Sequence, residues 1–403
     1  MKVAIVTLPL HTNYGGVLQA FALQRVFEGM GNDVEIIQLR EIIPAPKRLE
    51  AVRKFLTRSF RKYVLRRRDV EIFRERRINR EFPVVGAEFV RFFRKYMNIR
   101  YISSFNEIRP SDYDAFVVGS DQVWRPKYNR NLMNSYLDFT HPRFHGVRSV
   151  WSREPGDWNV RRVAYAVSFG SDVWEYSSEQ TARARILAWS FDELSFREAS
   201  GADRALRHFG VGSVTVLDPT MLLKVSDYLD IAAEENASAN PADGSGCVFE
   251  YILDRTPENC SVAHEIERRV AVDSKDGKPL EVNAFLTSDP RGAGDISARV
   301  QPSIESWLRG LSSASFVVTD SFHACVFSIL FHRPFCVLGN SNRGLSRLEW
   351  LLGLFGLRDR LVSTDNAENV DFEALRTVDW EDVDRRLERQ RSASLDFLKN
   401  SLV

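Results

Sequence analysis

The sequence lacks the features that mark several specialised classes of protein. Its 403 residues carry a net charge of only +1, so the composition does not indicate a nucleic-acid-binding protein or an acidic partner. No uninterrupted apolar segment approaches the ~20 residues that a transmembrane helix needs. The first residues, MKVAIVTLPL, hold too short an apolar run for a signal peptide. These absences predict a cytoplasmic enzyme, and the length favours two domains.

Cysteine is scarce, and the common catalytic motifs are missing. The four cysteines form no C-x-x-C pair, and Cys325 and Cys336 lie in apolar runs typical of buried reduced thiols. The histidines other than His323 show no metal-ligand spacing. The G-x-G-x-x-G, Walker A, H-E-x-x-H and G-x-S-x-G motifs are absent. Their absence excludes the commonest dinucleotide, P-loop, zinc-protease and α/β-hydrolase sites.

What is present is a regular alternation of strands and helices. Lys2 to Leu8 is an apolar strand, the next apolar positions repeat with helical period, and Val34 to Gln38 is a second strand. Such β-loop-α-β units predict a parallel sheet. A second alternating series begins at Val248. We therefore predict an α/β fold with two Rossmann-like domains whose parallel sheets face a cleft.

The predicted domains span residues 1–222 and 223–380, and a C-terminal helix in 381–403 packs back on the first domain. Residues 47–100 hold 18 Lys or Arg against 6 Asp or Glu, with aromatic residues interleaved, and predict a basic helical insertion in the first domain. Its charged face is either a solvated surface or a contact for an anionic membrane or a lipid-pyrophosphate substrate. Nucleic acid is disfavoured because no binding motif accompanies the charge.

The most informative stretch is SFVVTDSFHACVFSILFHRPFCVL, residues 315–338. It predicts a strand, a polar break, a helix that begins near His323 and another strand. Open α/β sheets bind ligands at such turns, where a helix N-terminus offers N–H groups to an anion. His323 is therefore predicted to act as an acid or base beside an anionic substrate, with Asp320 or Ser321 capping the helix or Asp320 orienting the ring.

A second group of candidates follows the predicted strand at 115–119. Asp121, Gln122 and Trp124 place a carboxylate, an amide and an indole at the strand's carboxyl end. This set suits a sugar, because carboxylate and amide bind hydroxyls and an aromatic face stacks on the ring. The alternative is helix capping by Ser120 or Asp121 with Trp124 in the core.

The first strand-to-helix loop contains Asn13, Gly15 and Gly16. Glycines allow the backbone to approach a ligand closely, and they also occur in tight turns that bind nothing. The position of the loop in a parallel sheet favours ligand contact.

Three arginines follow the ends of two further predicted strands. Arg197 follows a short strand in LSFRE, and Arg343 and Arg347 lie in NSNRGLSR after the strand at 335–338. A guanidinium binds carboxylate or phosphate through two parallel hydrogen bonds. These arginines are candidates for an anion site, or else ion-paired surface groups.

Several motifs, taken in order, resemble the polysaccharide pyruvyl transferase family. They are NYGGVLQAFALQ, VVGSDQVW, LSFREAS, VLDPT, VVTDSFHACVFSILFHRPF and NRGLSRL, between residue 1 and about residue 360. The resemblance implies two Rossmann-like domains of the glycosyltransferase B type. It also implies phosphoenolpyruvate as the donor, a saccharide acceptor that is free or lipid-linked, and a pyruvate ketal on a cell-surface polysaccharide or its precursor. No metal and no cofactor beyond this co-substrate are expected.

By this resemblance, His323 matches the essential histidine of the family and Arg197 its donor-binding arginine. Many members carry arginine two places before the histidine, where this chain has Ser321. We therefore expect Arg343 or Arg347 to replace that charge. Donor contacts are also expected from Ser321 and from the first glycine loop, acceptor contacts from Gln122 and Trp124, and hydroxyl activation from Asp121.

Two other functions remain open on the sequence. One is a glycosyltransferase that uses a nucleotide-sugar on the same fold. The other is a sugar- or anion-binding protein without catalytic activity. A peripheral position at the inner face of the membrane is expected only if the basic insertion at 47–100 binds lipid.

Overall fold

The computed structural model describes residues 1–41, 43, 48–67, 69–127, 160–234, 247–272, 280–285, 287–339, 345–362 and 370–403. These residues form two parallel sheets with helices between successive strands, one sheet after the other along the chain. The predicted α/β fold with two Rossmann-like domains is therefore confirmed.

The first sheet has seven parallel strands. They are β1 (Lys2–Val6), β2 (Asp33–Leu39), β3 (Ile99–Ile102), β4 (Ala115–Asp121), β5 (Arg161–Val167), β6 (Glu193–Phe196) and β7 (Val214–Thr215). Their order is β3-β2-β1-β4-β5-β6-β7. The helices of this half are α1 (Tyr14–Gly29), α2 (Arg48–Ser59), α3 (Arg74–Val85), α4 (Ala87–Tyr96), α5 (Ser178–Ala188) and α6 (Ala199–Arg204). The central strands β1 and β4 are buried on both faces, which explains their continuous apolar sequences.

The second sheet has five parallel strands. After α7 (Val225–Ala233) they are β8 (Cys247–Tyr251), β9 (Glu281–Ala284), β10 (Phe316–Thr319), β11 (Phe335–Leu338) and β12 (Leu361–Val362), in the order β12-β11-β10-β8-β9. Its helices are α8 (Pro257–Val272), α9 (Ile304–Ser313), α10 (Phe322–Leu330), α11 (Leu345–Phe355) and α12 (Phe372–Arg376). The strand β10 lies at the centre, so the residues that follow it face the middle of the sheet's carboxyl edge.

The basic segment at 47–100 contains α2, a π-helical turn at Phe60–Val64, α3 and α4. The helix α4 anchors it, because Phe89 and Phe92 are buried and pack against Tyr14 and Phe21 of α1 at ring separations of 4.9 and 5.7 Å. The turn at Phe60–Val64 buries no side chain. The insertion thus has one end fixed in the core and one end at the surface.

The last helix, α13 (Trp380–Ser401), crosses back to the first sheet. The Arg391 guanidinium donates to the Met221 carbonyl at 2.9 Å, and the Leu217 N–H donates to Ser394 Oγ at 2.9 Å. Phe397 packs on Tyr165 of β5, with the ring centroids 6.1 Å apart. At 22 residues α13 is polar on one face. Like the other helices within the described ranges, it does not combine the length and apolarity needed to cross a bilayer.

Candidate active site

Polar side chains from both domains meet where the carboxyl ends of the two sheets face each other. Asp121 ends β4, Arg197 follows β6, and Asp218 follows β7. His323 lies in the first turn of α10 in the second domain, with its Nε2 3.7 Å from Asp218 Oδ2. All four residues are buried. The structure thus brings together three residues that the sequence predicts, and it adds Asp218.

Arg197 is held by three acidic side chains. Its Nη1 donates to Asp218 and its Nη2 to Asp121, both at 2.9 Å, and its Nε lies 3.7 Å from Glu198 Oε2. The guanidinium carbon lies 4.5 Å from the centre of the Phe322 ring, a cation–π distance. Both terminal nitrogens therefore bind carboxylates of the protein itself. The predicted contact of Arg197 with the donor stays a prediction, and the role that the structure records for this residue is to fix Asp121 and Asp218.

Asp121 and Asp218 are both ionised. Burial alone would raise the pKa of Asp121, but the charges of Arg197, His323 and Arg347 outweigh it and hold that pKa below the ordinary value. Burial is likewise outweighed at Asp218, where His323 and then Arg197 lower the pKa strongly. Because a carboxylate with a depressed pKa is a weak base, the structure makes Asp121 poorly suited to the predicted activation of a hydroxyl.

Glu198 has the opposite character. Its side chain is buried, Ser168 Oγ donates to its Oε1 at 2.6 Å, and its Oε2 has no hydrogen-bond partner among the described residues. Burial raises the pKa of Glu198 even though the charge of Arg197 acts against it. A carboxyl group whose pKa moves toward neutrality exchanges protons more effectively than Asp121. Sequence reasoning missed this residue, although it stands next to Arg197 in LSFRE.

Two helix N-termini, one from each domain, meet at His323. Ser321 caps α10, with its Oγ accepting from the Ala324 N–H at 3.4 Å. Gly15 in the first turn of α1 lies against the imidazole, since a Cβ added to Gly15 would stand 2.0 Å from His323 Nδ1. The positive ends of α1 and α10 therefore converge on one ring. The buried Nε2 has no hydrogen-bond partner within the described part of the chain.

The polar residues of the first loop cap α1. Asn13 Oδ1 accepts from the Gly16 N–H at 3.1 Å, so the Asn13 side chain and the Gly16 backbone bind each other. The Tyr14 hydroxyl donates to the Pro302 carbonyl at 2.8 Å and fixes this end of α1 against the second domain. The predicted ligand contacts of Asn13, Gly15, Gly16 and Ser321 stay predictions, and the roles that the structure records for them are capping and close packing.

The two predicted acceptor residues, Gln122 and Trp124, have different environments in the structure. Trp124 is fully buried among Phe169, Phe191, Phe196 and Phe209, with ring centroids 5.6–6.4 Å away. Its faces are covered, so it supports the site from the core instead of stacking on a sugar ring as predicted.

Gln122 is only partly buried, and its Oε1 accepts from Arg125 Nη1 at 3.0 Å. The Gln122 amide therefore remains a candidate for contact with a hydroxyl, whereas Trp124 belongs to the core.

Arg347 is the second cation of the site. It lies in α11, is buried, and its guanidinium carbon is 5.9 Å from the centre of the Phe322 ring. Its charge acts on both Asp121 and Glu198. Arg343 or Arg347 is expected to replace the charge missing at Ser321. Arg347 lies beside Phe322 in the site, whereas Arg343 lies outside the described residues.

His11 also reaches the site. Its ring is partly buried, and its Nδ1 has no hydrogen-bond partner in the described ranges. Burial lowers the pKa of His11 to about 4, Arg291 acts in the same direction, and Asp121 opposes them. His11 is therefore neutral at pH 7 and lies within electrostatic range of Asp121. Its position beside the first loop was the only sequence signal for it.

Comparison with known proteins identifies a matching family and several solved structures with a similar chain fold. The sequence pattern of the family described as polysaccharide pyruvyl transferase matches residues 13–342. A search of curated proteins finds no match. A UDP-GlcNAc 2-epimerase from Neisseria meningitidis has a TM-score of 0.49 at 8% identity, over 100% of this chain and 99% of that one.

Two other solved structures are also similar to this chain. A putative UDP-N-acetylglucosamine 2-epimerase from Listeria monocytogenes has a TM-score of 0.47 at 12% identity, over 97% of this chain and 90% of that one. The spinosyn rhamnosyltransferase has a TM-score of 0.36 at 13% identity, over 100% of this chain and 96% of that one.

Proposed function

Because the chain belongs to the polysaccharide pyruvyl transferase family, we propose that it transfers pyruvate from phosphoenolpyruvate to two hydroxyls of one sugar unit. The product is a pyruvate ketal on a cell-surface polysaccharide or its precursor. The observation that carries this proposal is the position of His323, whose buried Nε2 lies 3.7 Å from Asp218 Oδ2 and has no hydrogen-bond partner among the described residues, where two helix N-termini meet. An acid beside an anion site is what this reaction needs.

The first step is protonation of the donor. His323 gives a proton to the methylene carbon of phosphoenolpyruvate, which becomes a methyl group, and C2 becomes an oxocarbenium-like electrophile. Asp218 stays ionised and stabilises the imidazolium before the transfer. A sugar hydroxyl then adds to C2 and loses its proton to a base, for which Glu198 is better suited than Asp121. Phosphate leaves with its bridging oxygen, and a second hydroxyl closes the ketal and passes its proton to the released phosphate.

Donor binding must offset the charge of a phosphate and a carboxylate. Among the described residues, Asp121 and Asp218 already balance Arg197 and Arg347, so side chains alone supply little excess positive charge. The N-terminal N–H groups of α1 and α10 supply what is missing, because helix starts bind anions without a net charge. Arg343 remains a predicted further contact. We assign no metal or cofactor to these steps.

The proposal is tested by incubating the purified protein with phosphoenolpyruvate and a panel of galactose-containing acceptors. We expect acceptor-dependent release of inorganic phosphate, together with an acceptor product whose mass increases by one pyruvate ketal. Omitting the acceptor is the control. Tight binding of a nucleotide-sugar with no phosphate release would favour the glycosyltransferase instead. Anion binding without turnover on any acceptor would favour a non-catalytic protein.

Gly15→Ala is expected to disable the site while leaving the fold intact. The added methyl would overlap the imidazole, so His323 must move away from Asp218. A misplacement of about 1 Å at a catalytic group lowers turnover by roughly 10²-fold. Phosphate release measures the loss, and thermal unfolding measures the fold.

The matched control is Gly29→Ala at the other end of α1. A Cβ added to Gly29 meets nothing within 4 Å, and alanine favours helix, so stability and turnover should be unchanged or slightly higher. Full activity in Gly15→Ala would show that His323 does not depend on this contact.

A further inference from the structure

The segment from α2 to the turn at Phe60–Val64 exposes an apolar stripe. Leu49, Val52, Leu56 and Phe60 follow each other at intervals of three or four residues and so share one helix face. Leu49 is 87% exposed and Leu56 is 60% exposed. Large apolar side chains in a contiguous exposed row mark a surface that binds something.

The same segment carries exposed cations for which no ion pair is recorded among the described residues. They are Arg53, Arg61, Lys62, Arg66 and Arg67. We call the stripe and these five cations the basic-apolar face. Apolar residues flanked by Lys and Arg on an exposed helix match the chemistry of an anionic lipid surface, with acyl chains below and negative headgroups above.

The opposite side of α2 is already used for packing. Arg58 binds Glu75 through two hydrogen bonds of 2.6 and 2.8 Å, and the Phe55 ring packs on Phe73 with centroids 6.0 Å apart. The helix is therefore fixed to the rest of the insertion by its inner face. The apolar stripe therefore lies away from the contacts by which α2 packs on the described part of the insertion.

The insertion also reaches the cleft. Arg77 of α3 donates through Nη2 to the Arg291 carbonyl at 3.0 Å in the second domain. The Arg291 charge acts on His11, whose ring is also within electrostatic range of Asp121. The insertion therefore contacts the second domain at a residue whose charge reaches His11.

We propose that the basic-apolar face docks the protein on an anionic lipid bilayer, from which the cleft receives an acceptor carried on a lipid. The docking is inferred from the basic-apolar face alone. The inference that the acceptor is carried on a lipid rests in addition on the proposed function. Apolar side chains enter the interface while the cations bind headgroups, so the affinity depends on both and weakens with salt.

Co-sedimentation of the full-length protein with vesicles tests the docking. We expect binding to vesicles rich in phosphatidylglycerol at low salt, weaker binding as salt rises, and little binding to pure phosphatidylcholine. Leu49→Ser/Leu56→Ser/Phe60→Ser should lower binding by removing the apolar part. Arg61→Glu/Lys62→Glu should lower binding by at least roughly thirtyfold, because each basic residue near an anionic surface contributes roughly a factor of five.

Arg207→Glu/Arg389→Glu is the matched control, since it makes the same change of charge at exposed arginines outside the insertion. It should bind vesicles far more tightly than the Arg61/Lys62 variant. Unfolding temperatures and turnover on a soluble acceptor should match the unaltered protein in all three variants, because none of these residues lies in the site.

Three results would overturn the docking: no binding at low salt, equal loss in the control variant, or a dimer that the apolar substitutions dissociate while lipid binding is absent. The last outcome would assign the face to a second copy of the chain. Turnover on a soluble acceptor without lipid binding would contradict the docking alone. Lipid binding without turnover would contradict the proposed function alone.

Discussion

Replacing His323 with alanine is expected to lower turnover with phosphoenolpyruvate by roughly 10²–10⁴-fold, the range that a general acid contributes. The imidazole is the group whose Nε2 lies buried beside an ionised carboxylate at the junction of the two domains. Donor affinity should change much less, because the N-termini of α1 and α10 and the Arg347 charge remain. Phosphate release measures turnover, and calorimetric titration with phosphoenolpyruvate measures binding.

His332→Ala is the matched control. His332 follows the other end of α10, is exposed, and pairs with Asp384 at 2.9 Å. Its loss should leave turnover nearly unchanged. A second readout separates proton transfer from positioning: in D₂O the unaltered protein should place solvent deuterium in the methyl group of the ketal. His323→Ala with turnover within a few-fold of normal would contradict the role of this residue as the acid.

The succession of strands was predictable because strands buried on both faces have continuous apolar sequences. The strand predicted at Phe316–Val318 extends by one residue in the structure, and that at 335–338 has the predicted ends. His323 was predictable for a related reason. A polar break between an apolar strand and an apolar helix fixes a turn, and the topology of a parallel sheet fixes on which edge that turn lies.

The partners of each site residue were not predictable, because they depend on contacts between distant segments. Arg197 binds Asp121, which is 76 positions away, and Asp218, which is 21 positions away. Nothing local to either acid indicates this pairing. Trp124 shows the same limit, since an indole at a strand end suits a sugar or a core equally, and the surrounding phenylalanines decide for the core.

Gly15 illustrates a third kind of contact that the sequence hides. Its glycine pair predicted close approach of the backbone to a ligand, and the structure shows close approach to the imidazole of the other domain. The position excludes a Cβ, and the predicted contact of Gly15 with a ligand stays a prediction. The neighbour that imposes it could be identified only in three dimensions.

Arg197→Met is expected to destabilise the protein by about 3–5 kcal/mol, the range seen when one partner of a buried ion pair is removed. The substitution leaves Asp121 and Asp218 buried as carboxylates without their shared cation. Chemical unfolding monitored by circular dichroism measures the loss. Arg207→Met, at an exposed arginine on the same half of the molecule, should cost little.

The electrostatic origin of that loss can be separated from lost packing. Asp121→Asn and Asp218→Asn, introduced together with Arg197→Met, should recover much of the stability because the two carboxylates that bind Arg197 no longer carry a charge. An equally unstable triple variant would assign the effect to packing against Phe322 instead.

Lowering the pH should reduce the loss of stability that Arg197→Met causes. In the unaltered protein, both aspartates have a pKa below the ordinary 3.8, so their contribution to stability is present above that value and is lost as the pH falls through the lowered pKa. In Arg197→Met, Asp121 loses the cation that most opposes burial and Asp218 loses one of the cations that do, so both pKa values should rise and the contribution of the aspartates should be lost at a higher pH. The difference in unfolding free energy between the two proteins should therefore be largest near pH 7 and shrink as the pH approaches 4. A difference that does not change with pH would mean that Arg197 acts through its shape and not through its charge.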